Sequence, residues 1–340
     1  MHFPDEPTLD QHLSSPSPRL IEEIRAVRSP LLVLGAGGKM GPTLAVMARR
    51  AAAEAGHPLE VMAVSRFQNP AARAWLEAQG VRTVVADLLE EDQVRALPEA
   101  GDLAYLVGMK FGTATDPSAT WVANTLVPAH VTRRFAGTRM VALSTGNVYP
   151  FVPVDGAPAT EAHALTPLGE YANAAVGRER VLQWASARYQ SPMVLVRLSY
   201  AVEARYGVLH DIAARLQREE PVPLENGWFN CIWQRDAHDA ILRLFQHATC
   251  PPLAVNLTGT GVVGVRDAAT ALGKALDREP VFQGQETSTA LLSDVSRMVS
   301  LVGAPPTSLE EMLESTASWI RTGGRSLGKP TRFEVKSGRY

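Results

Sequence analysis

The chain has 340 residues, 46% of them hydrophobic and 20% charged, with 33 Lys and Arg against 35 Asp and Glu for a formal net charge of −2. That is globular composition, enough for one large domain or two ordinary ones, and its balance offers no bulk attraction to nucleic acid or to a membrane surface. No apolar run spans a bilayer, the acidic N-terminus (Asp5, Glu6, Asp10) is no secretory signal, and two cysteines, Cys231 and Cys250, make no disulfide framework, so the expected compartment is the cytoplasm.

Residues 1–29 are polar and proline-rich with a short helical pattern at 20–24, and read as an extension packed on the main fold or loosely tethered to it. From Leu31 apolar runs alternate with helical stretches. Strands are expected at 31–34, 59–64, 81–86, 103–107, 140–143 and 193–198. Helices are expected at 43–55, 71–79 and 168–189, with Gly56 and Gly80 stopping the first two. Strand, helix and strand at this spacing predict βαβ units with right-handed crossovers, hence a Rossmann-type doubly wound parallel sheet in an α/β fold. This Rossmann-type domain is expected over 30–200. After it the pattern becomes irregular, with Pro221-Val222-Pro223, an aromatic stretch at 228–233 and amphipathic helices near 236–247, 265–276 and 308–320. These predict a smaller substrate-binding lobe over 201–322. The basic tail, 323–340, is expected to be solvated or disordered.

The strongest local signal is Gly35-Ala36-Gly37-Gly38-Lys39-Met40-Gly41, between the first strand and its helix. Glycine is needed there because the turn requires positive φ and the backbone must approach a pyrophosphate closely. The helix N-terminus that follows offers free N–H groups and the positive end of its dipole. Gly108, after the strand at 103–107, lies at the same edge. An acidic residue at the end of the second strand would bind the ribose of NAD. Here the strand ends Ser65-Arg66, a pair suited to a 2′-phosphate, which points to NADP with NAD as the alternative. No cluster of His, Asp, Glu and Cys has metal-ligand spacing.

With these residues in place, the chain resembles the extended short-chain dehydrogenase/reductase family of the NAD-dependent epimerase/dehydratase type. The family's GxxGxxG pattern matches Gly35, Gly38 and Gly41, and its adenine-side motif matches Asp87-Leu88. Its helix asparagine matches Asn124, and its Ser/Thr stretch matches Ser144-Thr145-Gly146-Asn147-Val148-Tyr149. Thr160-Glu161, Pro167, Tyr171, Asp236-Ala237, Val255-Asn256, residues 294–297 and Trp319 follow in order. The resemblance implies that Thr145 hydrogen-bonds the reacting substrate oxygen and that Tyr171 is the acid/base of a hydride transfer at the nicotinamide. It also implies a homodimer through the helical stretches around 116–135 and 168–189.

Two departures stand out. The family's Tyr-x-x-x-Lys motif reads Tyr171-Ala172-Asn173-Ala174-Ala175, with alanine in the lysine's place. A phenol ionises near pH 10, so a tyrosine base at neutral pH needs a neighbouring cation. Lys110 is the favoured substitute; Arg178 and the positive charge of an oxidised nicotinamide are the others. The arginines that clamp nucleotide diphosphates in the family are replaced by 229–231 and 298–300, which argues against a nucleotide-sugar. Asn147, Tyr200, Arg205, His210, Asn230 and Trp233 instead offer polar groups beside aromatic faces, suited to a free sugar, sugar acid or polyol. Two functions are therefore expected: an NAD(P)-dependent oxidoreductase, epimerase or dehydratase, or a cofactor-binding sensor or scaffold that has lost catalysis.

Overall fold

The computed structural model describes residues 1–110, 112–329 and 331–338. Seven strands form the central sheet: β1 (Leu31–Leu34), β2 (Val61–Ser65), β3 (Arg82–Val85), β4 (Asp102–Tyr105), β5 (Arg139–Thr145), β6 (Met193–Leu198) and β7 (Leu253–Leu257). Their order is β7-β6-β5-β4-β1-β2-β3 and every pairing is parallel. The doubly wound sheet expected from the βαβ rhythm is present. β7 is drawn from the segment expected to form the second lobe. It extends the sheet in register with β6, Leu253 opposite Val194 and Leu257 opposite Leu198.

The helices are α1 (Glu6–Leu13), α2 (Pro18–Glu23), α3 (Gly41–Glu54), α4 (Pro70–Ala78), α5 (Glu91–Arg95), α6 (Pro117–Arg134), α7 (Glu170–Tyr189), α8 (Val208–Gln217), α9 (Gln234–Arg243), α10 (Val265–Leu276), α11 (Ser296–Val302) and α12 (Leu309–Arg321). All four residues of β1 are buried. Leu31 and Val33 face one apolar layer with α3 and α9, while Leu32 and Leu34 face the other. Burial on both faces is why the central strands are continuous runs of Val, Leu, Ala and Met rather than alternating ones. Helices α6 and α7 approach closely at Gly177, where a Cβ would stand 3.2 Å from Thr125 and from the Trp121 ring.

A second core belongs to the lobe, built on α8, α10 and α12 with Phe229 and Trp233 at its centre. Both ends of the chain join it. Phe3, Leu9 and Leu13 enter from the N-terminal side and Phe333 from the C-terminal side. The extension 1–29 is thus packed, with Ser17 and Asp5 capping α2 and α1. The tail departs from the solvated segment expected of it, because Thr331 and Phe333 are buried and hydrogen-bonded to the lobe. Among the described residues no helix is long and apolar enough to cross a membrane.

Candidate functional site

The strand order reverses between β1 and β4, and the crevice at such a switch point is where doubly wound folds take ligands. The loop after β1 is built to leave its backbone open. Gly35 sits at φ +81°, with its N–H bonded to Val64 O at 2.9 Å. A Cβ at Gly41 would stand 2.5 Å from Ala36 Cα and O, and one at Gly37 would stand 2.5 Å from Ser65 Oγ. At Gly41 the clash is with backbone, so only glycine fits; at Gly37 the Ser65 side chain would have to turn aside, and Gly37 and Gly38 are exposed on the outer side of the loop. Pro42 stands in the first turn of α3, where no backbone N–H is needed. The residues fit the dinucleotide that the glycine pattern implies: a cradle stripped of side chains, facing a helix N-terminus. Ser65, Arg66, Asp87 and Leu88 lie at the ends of β2 and β3, the far end of the crevice. There Arg66 Nη1 is 3.7 Å from Asp87 Oδ2, and Leu88 is buried.

Beside the loop lies a cavity of about 660 Å³. Its lining includes Gly35, Gly38, Lys39, Met40, Gly41, Gly108, Lys110, Thr145, Asn147, Tyr171 and Tyr200. Tyr171 is the second residue of α7 and is nearly buried. Thr145 ends β5; its Oγ1 accepts from Asn147 N at 3.2 Å and donates to Asn147 Oδ1 at 3.1 Å. Lys110 Nζ lies 5.9 Å from the centre of the Tyr171 ring and donates to Thr331 O at 3.3 Å. Burial pushes the Lys110 ammonium down to about 8.

The loop carrying Lys110 is held from behind. Asn124 Nδ2 donates to Met109 O at 3.0 Å and Arg178 Nη1 to Val107 O at 2.9 Å. Thr113 Oγ1 donates to Lys110 O at 2.6 Å. The Arg178 guanidinium packs so closely on Gly108 that no Cβ fits there. Arg178, the sequence's second substitute for the motif lysine, thus reaches the cavity wall while tied to a backbone carbonyl. Ala175, where that lysine belongs, is fully buried in an apolar cluster with Val148, Tyr149, Val152 and Leu292.

Four of the six expected substrate residues are engaged elsewhere. Arg205 pairs with Glu203, Glu6 and Asp10 at 2.8 to 3.2 Å, binding α1 to the lobe. Trp233 is fully buried and donates Nε1–H to His12 Nε2 at 3.0 Å. Asn230 donates to Gly261 O at 2.8 Å and accepts from Ser293 N at 2.9 Å, joining two loops. His210 bonds Ala204 O and Ser326 Oγ, and lines an adjoining cavity of about 280 Å³ that shares Tyr206, Gly328, Lys329 and Arg332 with the large one. Only Asn147 and Tyr200 of that set face the large cavity.

Tyr206 and Gln234, which the sequence offers beside Arg205 and Trp233, also line this cavity, whereas the sequence reading missed its two C-terminal cations, Lys329 and Arg332. It also missed the buried network beneath it. Ser144 Oγ donates to Glu179 Oε1, whose carboxylate takes Arg197 Nε and Nη2 at 3.0 and 2.8 Å. Arg197 Nη1 donates to Tyr149 Oη, which donates to Asn256 Oδ1 at 2.7 Å. An arginine inside the apolar strand β6 was the available signal. Among the described residues no three His, Cys, Asp or Glu groups are placed to hold a metal.

Comparison with known proteins agrees with this fold. The model of the NAD dependent epimerase/dehydratase family matches residues 31–257. UDP-glucuronic acid 4-epimerase from Bacillus cereus, solved with UDP-glucuronic acid and NAD, superposes with a TM-score of 0.74 at 15% identity, covering 86% of this chain and 99% of that one. UDP-glucose 4-epimerase from Thermotoga maritima, solved with UDP-glucose, gives 0.73 at 17% identity over 86% and 99% of the two chains. UDP-glucose 4-epimerase from Thermus thermophilus, solved with NAD, gives 0.71 at 18% over 87% and 99%. No curated protein sequence matches the chain.

Proposed function

Because the chain belongs to the NAD dependent epimerase/dehydratase family, we propose that it is an NAD(P)-dependent enzyme acting on a carbinol of a sugar, sugar acid or related polyol. The observation that carries this reading is the convergence of Tyr171, Thr145 and Lys110 on the cavity that the open glycine loop borders. A nicotinamide held there supplies the acceptor or donor of hydride. Tyr171 Oη takes the proton of the substrate hydroxyl, or returns it. Thr145 Oγ1 turns from Asn147 to donate a hydrogen bond to the same oxygen. Lys110 stands beside the phenol as the cation that favours its ionised form, the role left open by Ala175. Asn124 and Arg178 hold the loop that places this cation.

Ser65 and the exposed Arg66 support NADP as the cofactor. The stretches at the positions of the family's diphosphate clamps, 229–231 and 298–300, carry no arginine, which supports a substrate without a nucleotide. Exposed Trp121 and Leu126 on α6 and Trp184 on α7 support a homodimer through these helices.

The buried Ala175 favours a second reading, a cofactor-binding sensor without turnover. Calorimetry with NADP, NADPH, NAD and NADH, then a screen of sugars, sugar acids and polyols by reduced-nicotinamide absorbance, separates the two. Turnover that Tyr171→Phe abolishes establishes the enzyme. Micromolar dinucleotide binding with no turnover on any of these substrates favours the sensor. No dinucleotide binding sinks both.

A further inference from the structure

After α12 the chain turns back along the mouth of the large cavity. It is fastened there at several points. Leu327 N bonds Arg205 O at 3.1 Å, and Thr331 donates twice to the Asp211 carboxylate, at 2.6 and 2.5 Å. Asn226 Nδ2 donates to Phe333 O at 2.7 Å, and Lys336 Nζ to Thr289 Oγ1 at 2.9 Å. This segment brings two cations, Lys329 and Arg332, to a wall that already carries Lys39, Lys110 and Arg178. No Asp or Glu lies among the described lining residues. Lys329 and Arg332 also border the smaller cavity, whose carboxylates are engaged: Asp211 accepts from Thr331, and Glu334 Oε1 lies 3.7 Å from Arg215 Nη2.

Arg178 is committed to the Val107 carbonyl. The other four come from three separate pieces of chain. Lys39 belongs to the glycine loop, yet its ammonium rests over the Tyr206 ring, 3.2 Å from the centroid, on the lobe side. Burial lowers it to about 7, and the charges of Lys110 and Lys329 add to the effect. Cations gathered in one hollow repel each other, and an anion placed between them removes that repulsion.

We propose that Lys39, Lys110, Lys329 and Arg332 form a subsite for an anionic group carried on the sugar itself, a carboxylate or a phosphate monoester. The substrate is then an acidic carbohydrate, an inference that rests on the functional reading above. The anion belongs on the reacting sugar because Lys110, one of the four, stands beside Tyr171. A group bound by Lys110 is within one sugar ring of the phenol.

The test uses the full-length protein saturated with its dinucleotide. Calorimetry measures D-glucuronate, D-glucose 6-phosphate, D-glucose and UDP-glucose against the unaltered chain, Lys329→Gln/Arg332→Gln and Lys329→Arg. Both glutamine positions are exposed, so the fold is retained. One acid probe is expected to bind at least about tenfold tighter than glucose, the scale of a charge-assisted hydrogen bond. Lys329→Gln/Arg332→Gln should lose that advantage without changing dinucleotide affinity, while Lys329→Arg keeps it. Which acid probe wins identifies carboxylate or phosphate. Glucose binding as well as both acids, neither acid binding, UDP-glucose binding tightest, or an advantage that survives the glutamines each overturns the proposal. Absence of dinucleotide binding breaks the functional reading instead, and the acid probes are then measured on the free protein.

Discussion

Lys110 donates a hydrogen bond to the carbonyl oxygen of Thr331 at 3.3 Å, joining the loop after β4 to a segment 221 residues further along the chain. The cation assigned to Tyr171 is therefore positioned from both sides, by Asn124 and Thr113 behind the loop and by the C-terminal segment in front.

Replacing Lys110 tests that assignment through the pH–rate profile. Glu334 and Asp211 favour its charge and Arg332 opposes it, with burial the dominant effect, so that it discharges near pH 8. Below that pH the ammonium favours the phenolate; above it the support is lost. The unaltered enzyme should show a descending limb near pH 8. Lys110→Ala should lower kcat by about a hundredfold or more, the scale of an acid–base group deprived of its tuning, and remove that limb. Lys110→Arg should restore part of the rate with no fall before pH 9. An unmoved profile in Lys110→Ala would falsify the role.

The far end of the crevice is tested by Arg66. Its side chain is 58% exposed and only loosely engaged by Asp87 at 3.7 Å, so it is at liberty to meet a 2′-phosphate. Arg66→Ala should weaken NADP by about ten- to a hundredfold and leave NAD within twofold. Equal losses for the two dinucleotides, measured by calorimetry, contradict the assignment.

The ion pair under the active-site floor should matter for stability before chemistry. Glu179 is fully buried and takes Ser144 and Arg197 together. Glu179→Ala leaves a buried guanidinium without its counter-charge, which costs about 3 to 5 kcal/mol. Urea denaturation should show a loss of that size. A loss under 1 kcal/mol would mean that Arg197 finds another partner.

Acid should loosen the N-terminal helices. Burial lowers both His12 and His238 to about 4, so each is neutral in the folded protein. The unfolded chain takes up these protons near pH 6.5, the folded one only near 4, so stability is fully present above 6.5 and is lost as pH falls through that window. For the completely buried His238 the loss approaches about 3 kcal/mol at pH 4. His12 must accept from Trp233 and cannot do so once protonated. Denaturation midpoints measured between pH 7 and 4 should fall steadily, and less so in His238→Gln.

Much of the sheet could be read from the chain because β1 and β6 are bounded apolar runs buried on both faces, and 31–34 and 193–198 are matched residue for residue. α10, an amphipathic helix over 265–276, is equally plain. The open glycine loop and the cavity position of Tyr171 were legible because the one depends on local backbone and the other on one helix position. Arg205, Trp233 and Asn230 were misplaced because their partners, Glu6, His12 and Ser293, are remote in sequence, and polarity beside aromatics looks the same in a core as in a cleft. Lys329 and Arg332 were unreadable as cavity residues. Nothing in a basic, glycine-containing stretch announces that Asp211 and Asn226 will fasten it.

The docking of α1 has a consequence for how the chain is made. Leu9 and Leu13 are buried against the lobe, and His12 meets Trp233, 221 residues later in synthesis. At ordinary elongation rates about 10 to 40 seconds pass before that tryptophan is added. For that interval the N-terminal helix leaves the ribosome with its apolar side uncovered. This helix thus waits long after its own synthesis to find its place, and a chaperone that binds short apolar helices has its opportunity there.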